Sequence, residues 1–165
     1  MQTPQVKKTQ LQESDNLYES DFYAWTQQQI NVLLHKQWSQ IDVVNLVEEI
    51  ESLGRRERQE LRNRLSILLG HLLKWEYQPN KRSRSWLATM RIQRRDILKL
   101  LNDNPSLGSY VVEAITEAYQ NGRDLAVSET NLPFASFPEQ CLYSWEDVMN
   151  ESFYPGLPTS DDLIG

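Results

Sequence analysis

The sequence predicts an all-α protein, and three observations lead there. Apolar residues recur at three- and four-residue steps in several separate segments, the spacing that gathers them on one side of an α-helix. No stretch alternates apolar and polar residues at period two, as a half-buried strand would. The Asn121-Gly122 pair lies inside a helical pattern and not between two apolar runs, so it marks no hairpin. At 165 residues, 39% hydrophobic and 24% charged, the chain has the size and composition of one globular domain. The expectation is four to five packed helices with short connections, a short C-terminal helix and loose termini. A flexible N-terminal arm is expected over 1–17, the helical domain over 18–155 and a tail over 156–165.

The elements follow in order. Ser20 or Asp21 offers a capping oxygen to a helix reaching about Gln37, with Phe22, Trp25, Ile30 and Leu33 as its apolar contacts. Asp42 caps the next, in which Val43, Leu46, Val47, Ile50 and Leu53 recur at helical steps and Gly54 stands where a left-handed C-terminal residue is wanted. A basic helix then runs from about Arg55 to Tyr77, its stripe made by Leu61, Leu65, Leu68, Leu72 and Trp75, and stops before Pro79. Gly70 inside that helix costs about 1 kcal/mol against Ala, which predicts a neighbouring backbone close by. Ser85 is expected to cap a helix from Trp86 to Leu101 with a core face of Leu87, Met90, the Arg94 stem, Ile97 and Leu101. Pro105 or Ser106 opens another, reaching about Glu129 and softened at Asn121 and Gly122. Ser144, followed three residues later by Asp147, opens a short helix to Asn150.

The net charge of -6 conceals a segregation. Arg55 to Lys99 holds thirteen cations against four anions, a balance of +9, so the remaining four cations and nineteen anions carry -15. Such asymmetry is the footprint of a positive patch able to hold phosphate. The competing reading is that the helix bearing Asp42, Glu48, Glu49 and Glu51 folds back across the Leu53-Gly54 connection and neutralises the arginines. Ten of the thirteen cations are arginine, which suits carboxylate and phosphate equally.

Several classes of chemistry fall away. The longest apolar stretch, Ile67 to Leu73, is too short to span a membrane, and the polar opening lacks the apolar core of a secretory signal. A lone cysteine, Cys141, fits a reducing cytosol, so a cytoplasmic location is expected. His35, His71 and Cys141 provide no zinc spacing, and no Gly-rich phosphate loop or nucleophile elbow occurs. Glu48 and Glu51 share a helix face as half of a magnesium-binding pattern, but the second half is missing and Arg55 stands one turn from Glu51. No metal and no cofactor is expected.

Two constellations remain. Arg64 and His71 are seven residues, two turns, apart beside the leucine stripe. An arginine shortly before a histidine on a helix resembles the motif of HEPN-type ribonucleases. That resemblance implies metal-independent RNA cleavage, with His71 as general acid or base and Arg64 stabilising the phosphorane charge. A packed core histidine beside a salt-bridged Arg64 explains the same residues. Five tryptophans also stand out, and Trp75, Tyr77 and Trp86 are interleaved with Lys74, Lys81, Arg82 and Arg84, which suits single-strand stacking as well as core and cap positions.

Four signatures in order resemble the bacterial DUF29 family from about Tyr18 to Pro155. They are Asp21-Phe22-Tyr23-Ala24-Trp25-Thr26, Asn45 through Gly54, His71 through Pro79, and Arg82-Ser83-Arg84-Ser85-Trp86. The resemblance implies a small helical protein and transfers no catalytic residue. The resulting expectation is a non-catalytic binding or interaction protein whose Arg82, Arg84, Arg91, Arg94 and Arg95 face an anion. Nucleic acid or an acidic protein is the expected partner, with no membrane and with homo-oligomerisation left open. The alternative from another class is the ribonuclease at Arg64 and His71.

Overall fold

In the computed structural model, which describes residues 16–164, seven α-helices form among the described residues and no strand does. In chain order they are α1 (Leu17–Ser20), α2 (Phe22–Leu34), α3 (Val43–Tyr77), α4 (Arg84–Asp103), α5 (Val111–Thr130), α6 (Trp145–Met149) and α7 (Asp161–Ile164). Short 3₁₀ turns punctuate the connections, among them Trp38–Gln40, Pro79–Lys81 and Pro105–Tyr110. The chain divides into two compact units, the first ending at Ser52 and the second beginning at Leu53. That division falls inside the segment expected to form one domain. Of the arm expected over 1–17, all but the last two residues lie outside the described part.

In the first unit, Asp21 caps α2 by accepting the Ala24 N–H at 2.9 Å. One side of α2 buries Trp25, Gln29 and Val32. Asp42 ties this side down, since its carboxylate accepts the Trp25 indole N–H at 3.0 Å and its own N–H donates to Gln29 Oε1 at 2.9 Å. The same carboxylate accepts the side-chain amide and backbone N–H of Asn45, and these bonds hold its pKa below the ordinary carboxylate value. Tyr18 donates to Glu49 Oε1 at 2.7 Å, and that hydrogen bond, with the neighbouring carboxylates, pushes the phenol up to about 12. The helix expected to reach Gln37 stops at Leu34, because Lys36 turns left-handed at φ 54° and breaks the ladder.

The acidic and basic helices expected on either side of Gly54 are one continuous α3. Gly54 is an interior helical residue and not a left-handed cap, so no connection exists at Leu53-Gly54 to fold one segment back on the other.

The second unit closes around the leucines of α3. Leu61, Leu65, Leu68, Leu72 and Trp75 are all fully buried, as the stripe predicts, and Leu69 beside them is fully buried too. They pack in one core with Leu87, Met90 and Ile97 of α4, with Ala114, Ala118, Tyr119 and Ala126 of α5, and with Val148 of α6. The cap of α4 is Ser83 and not Ser85, because extended Ser83 (φ -143°, ψ 159°) places its Oγ where the Trp86 N–H can donate. The sequence from Pro105 first winds as a 3₁₀ turn, and α5 begins only at Val111. It is not softened at Asn121-Gly122. Gly122 lies against Gly70: a Cβ on Gly70 would come within 3.0 Å of the Gly122 carbonyl oxygen, and one on Gly122 within 3.0 Å of the Gly70 nitrogen. Each glycine therefore admits the other's backbone, the close approach that Gly70 predicts. Asn131 ends α5 in the left-handed region at φ 58°, and Ser144 caps α6 by accepting the Asp147 N–H.

Candidate anion-binding site

Burial along α4 decides which arginines can reach a ligand. Leu87, Met90, Arg94 and Ile97 recur at three- and four-residue steps and turn inward. Arg91 and Arg95, one turn apart, are consequently exposed on the outer side. They line a concavity of about 600 Å³ together with Glu151, Ser152 and Tyr154. Arg95 makes a 3.7 Å ion pair with Asp96, whose other oxygen is taken by Arg64 at 2.8 Å.

The other three expected anion-facing arginines hold protein carbonyls. Arg94 is fully buried, its Nε donating to Val148 O at 2.8 Å and its Nη2 to Phe153 O at 2.9 Å. Burial lowers its pKa. The guanidinium lies 5.6 Å from the centroid of the Tyr154 ring, so Arg94 supports the segment that walls the concavity and does not face it. Arg82 donates to the carbonyls of Trp75, Pro155, Leu157 and Pro158, and it covers the Trp75 ring at 4.8 Å. Arg84 donates to Asp162 O at 3.2 Å. Leu157, Pro158 and Asp162, in the stretch read from sequence as a loose tail, thus carry three of the carbonyls that Arg82 and Arg84 bind.

Much of the remaining positive charge is paired within the second unit. Arg62 meets Glu117 at 2.7 Å, Arg64 meets Glu60 at 2.7 Å as well as Asp96, and buried Lys74 meets Glu129 while lying 4.3 Å from the Trp86 ring centroid. Arg64 is therefore engaged toward α4, whereas His71 bonds its own helix, its Nδ1 standing 2.8 Å from the Ile67 carbonyl oxygen. His71 is buried, and burial pushes its pKa below the ordinary 6.5. Trp75 is a core residue; Trp86 is half-buried under the Lys74 ammonium. Among the described residues no three His, Cys, Asp or Glu side chains gather as a metal site would need, and no helix is long and apolar enough to cross a membrane.

Glu151, Ser152 and Tyr154 carry no sequence signal that would join them to α4. They come from an irregular stretch more than fifty residues later, brought back by Arg94. The signal that existed was Arg94 itself, a cation standing on the apolar face of a helix.

An all-helical core that tethers a C-terminal segment over an arginine-bearing helix is the class these features define. The chain belongs to the family described as domain of unknown function DUF29, which it matches over residues 17–154. No curated protein and no solved structure matches it.

Proposed function

We propose that the protein is a non-catalytic binding module that receives single-stranded nucleic acid at Arg91 and Arg95. The observation that carries this reading is the concavity in which two exposed guanidiniums on one helix face stand beside a hydroxyl, Ser152, and an aromatic ring, Tyr154. Guanidinium forks pair with phosphate oxygens, and a ring beside them offers a base its stacking face. Glu151 on the rim and the overall charge of -6 keep such binding weak and salt-dependent. Binding is favoured over cleavage because His71 is buried and bonded to its own helix, and Arg64 is held by two carboxylates.

The test is fluorescence anisotropy of a labelled single-stranded RNA dodecamer at low salt. The wild type is expected to bind, to lose affinity as salt rises, and to leave the RNA uncut in EDTA. Arg91→Glu with Arg95→Glu should weaken binding at least tenfold. Equal binding by that variant, or none by the wild type, refutes the site. EDTA-resistant cleavage that disappears in His71→Ala would replace the proposal with the ribonuclease at Arg64 and His71.

A further inference from the structure

Three arginines of α4 fall on one line. Arg91 and Arg95 stand at i+7 and i+11 from Arg84, so each lies within about 20° of it around the helix, and the row is about 17 Å long. All three are exposed. Their surroundings differ. Arg91 and Arg95 line the open concavity, whereas Arg84 gives its Nη2 to the Asp162 carbonyl oxygen at 3.2 Å. The row is therefore closed at its N-terminal end by the chain's own C-terminal segment.

That segment is firmly held only as far as Gly156. Pro155 is buried, its carbonyl accepts from Arg82 Nη2 at 3.3 Å, and a Cβ on Gly156 would come within 3.1 Å of Glu76 Cα. After Gly156 the hold loosens. Leu157, Pro158, Ser160, Asp161 and Asp162 are exposed, and the segment is linked back by Arg82 Nη1 on the Leu157 and Pro158 carbonyls, by Arg84 on Asp162, and by half-buried Leu163 against the core. α7 is a single turn, too short to sustain itself as a helix. A stretch with one apolar anchor and exposed hydrogen bonds opens at little cost.

Its chemistry also matches what Arg84 would otherwise hold. A carbonyl oxygen with the Asp161 and Asp162 carboxylates beside it offers acceptors and negative charge, as a phosphate does. Being part of the same chain, these groups compete at high effective concentration, and the two carboxylates repel a strand nearing this end of the row.

We propose that residues 157–163 are an autoinhibitory strap on the nucleic-acid site: in place they occupy Arg84, and displaced they release it to extend the row of Arg91 and Arg95. The proposal rests on the nucleic-acid reading of that row. Arg82 keeps its bonds to Trp75 O and Pro155 O, which precede the strap, so the core stays closed when the strap leaves.

The test uses the full chain and the labelled single-stranded RNA dodecamer. Leu163→Ser, which alters no charge, should bind at least threefold more tightly than the wild type, with an unchanged circular dichroism spectrum. The slope of log affinity against log salt should steepen by about 0.7, the value of one further phosphate contact on a single strand. Asp161→Asn with Asp162→Asn keeps the apolar anchor and should also tighten binding. Arg84→Gln should change wild-type affinity less than twofold yet remove most of the gain in both released variants. A gain that survives Arg84→Gln overturns the proposal, since the strap would then act by general charge alone. Released variants that bind no better than a wild type dependent on Arg91 and Arg95 overturn the strap and leave the nucleic-acid reading standing. No RNA held by any of these chains refutes both.

Discussion

Ile50 and Leu68 lie eighteen residues, five turns of ideal helix, apart in the same α3. Leu68 is fully buried in the core of the second unit, while Ile50 in the first is 60% exposed. Their residue types and their places in the three- and four-residue pattern are alike. What differs is what stands opposite: α4 and α5 contribute core residues against Leu68, whereas the inward face of α2 is used up on Trp25, Gln29 and Val32. Periodicity therefore identifies a face that can be covered. Whether it is covered depends on residues elsewhere in the chain or in another molecule.

The comparison can be broken most directly with matched truncations. Leu68→Ala should cost about 2–5 kcal/mol in urea unfolding, the usual cost of emptying a closed core site, whereas Ile50→Ala should change stability by less than about 0.5 kcal/mol. Similar losses at both positions would mean that Ile50 is packed after all. Next in size is Arg94→Leu. Stranding the carbonyls of Val148 and Phe153 should cost roughly 1–3 kcal/mol and admit protease between those two residues, and an unchanged cleavage pattern would contradict the tether.

Glycine sharpens the contrast because one substitution should act with opposite sign at two places in α3. Gly54→Ala meets nothing within 4 Å and should stabilise by about 0.5–1 kcal/mol through helix propensity. Gly70→Ala drives a Cβ against Leu125 and the Gly122 carbonyl, where overpacking of about 1–3 kcal/mol exceeds the same gain in propensity. Thermal melts of the two variants should move apart, and a parallel shift would refute the Gly70–Gly122 contact.

The smallest effect concerns His71. Because burial lowers its folded pKa below 6.5, the unfolded chain binds the proton first, so the stability this group contributes is complete above about pH 6.5 and is lost as pH falls through the folded value. Melting temperature should consequently drop more between about pH 7.5 and 5 for the wild type than for His71→Gln. A variant that tracks the wild type across that window would show that the imidazole is not shielded.

The helical class, the leucine stripe from Leu61 to Trp75, the inward face of α4, the caps at Asp21, Asp42 and Ser144, and the neighbour demanded by Gly70 were all legible, because each rests on local spacing or on one backbone requirement. The helix running through Gly54 was not, since a helix former on either side can carry one unfavourable glycine. Nor was the exposure of Val43, Val47 and Ile50, which periodicity cannot distinguish from burial. The placement of the five arginines was half legible. Arg91 and Arg95 lie where an outer face should, but the work of Arg82, Arg84 and Arg94 depends on carbonyls contributed by the last part of the chain.

Those carbonyls also put the second unit under a timetable. Val148 is synthesised 54 residues after Arg94, and Pro158 comes 76 after Arg82. At about 5–20 residues per second, the Arg94 guanidinium waits about 3–11 s on the ribosome before the first of its acceptors exists. Until then α4 presents an unpartnered cation on the face that must enter the core, so closure of this unit waits for the segment that carries Val148 and Phe153. A synonymous message that pauses synthesis between Arg94 and Val148 should lengthen the interval in which chaperones find the leucine stripe open.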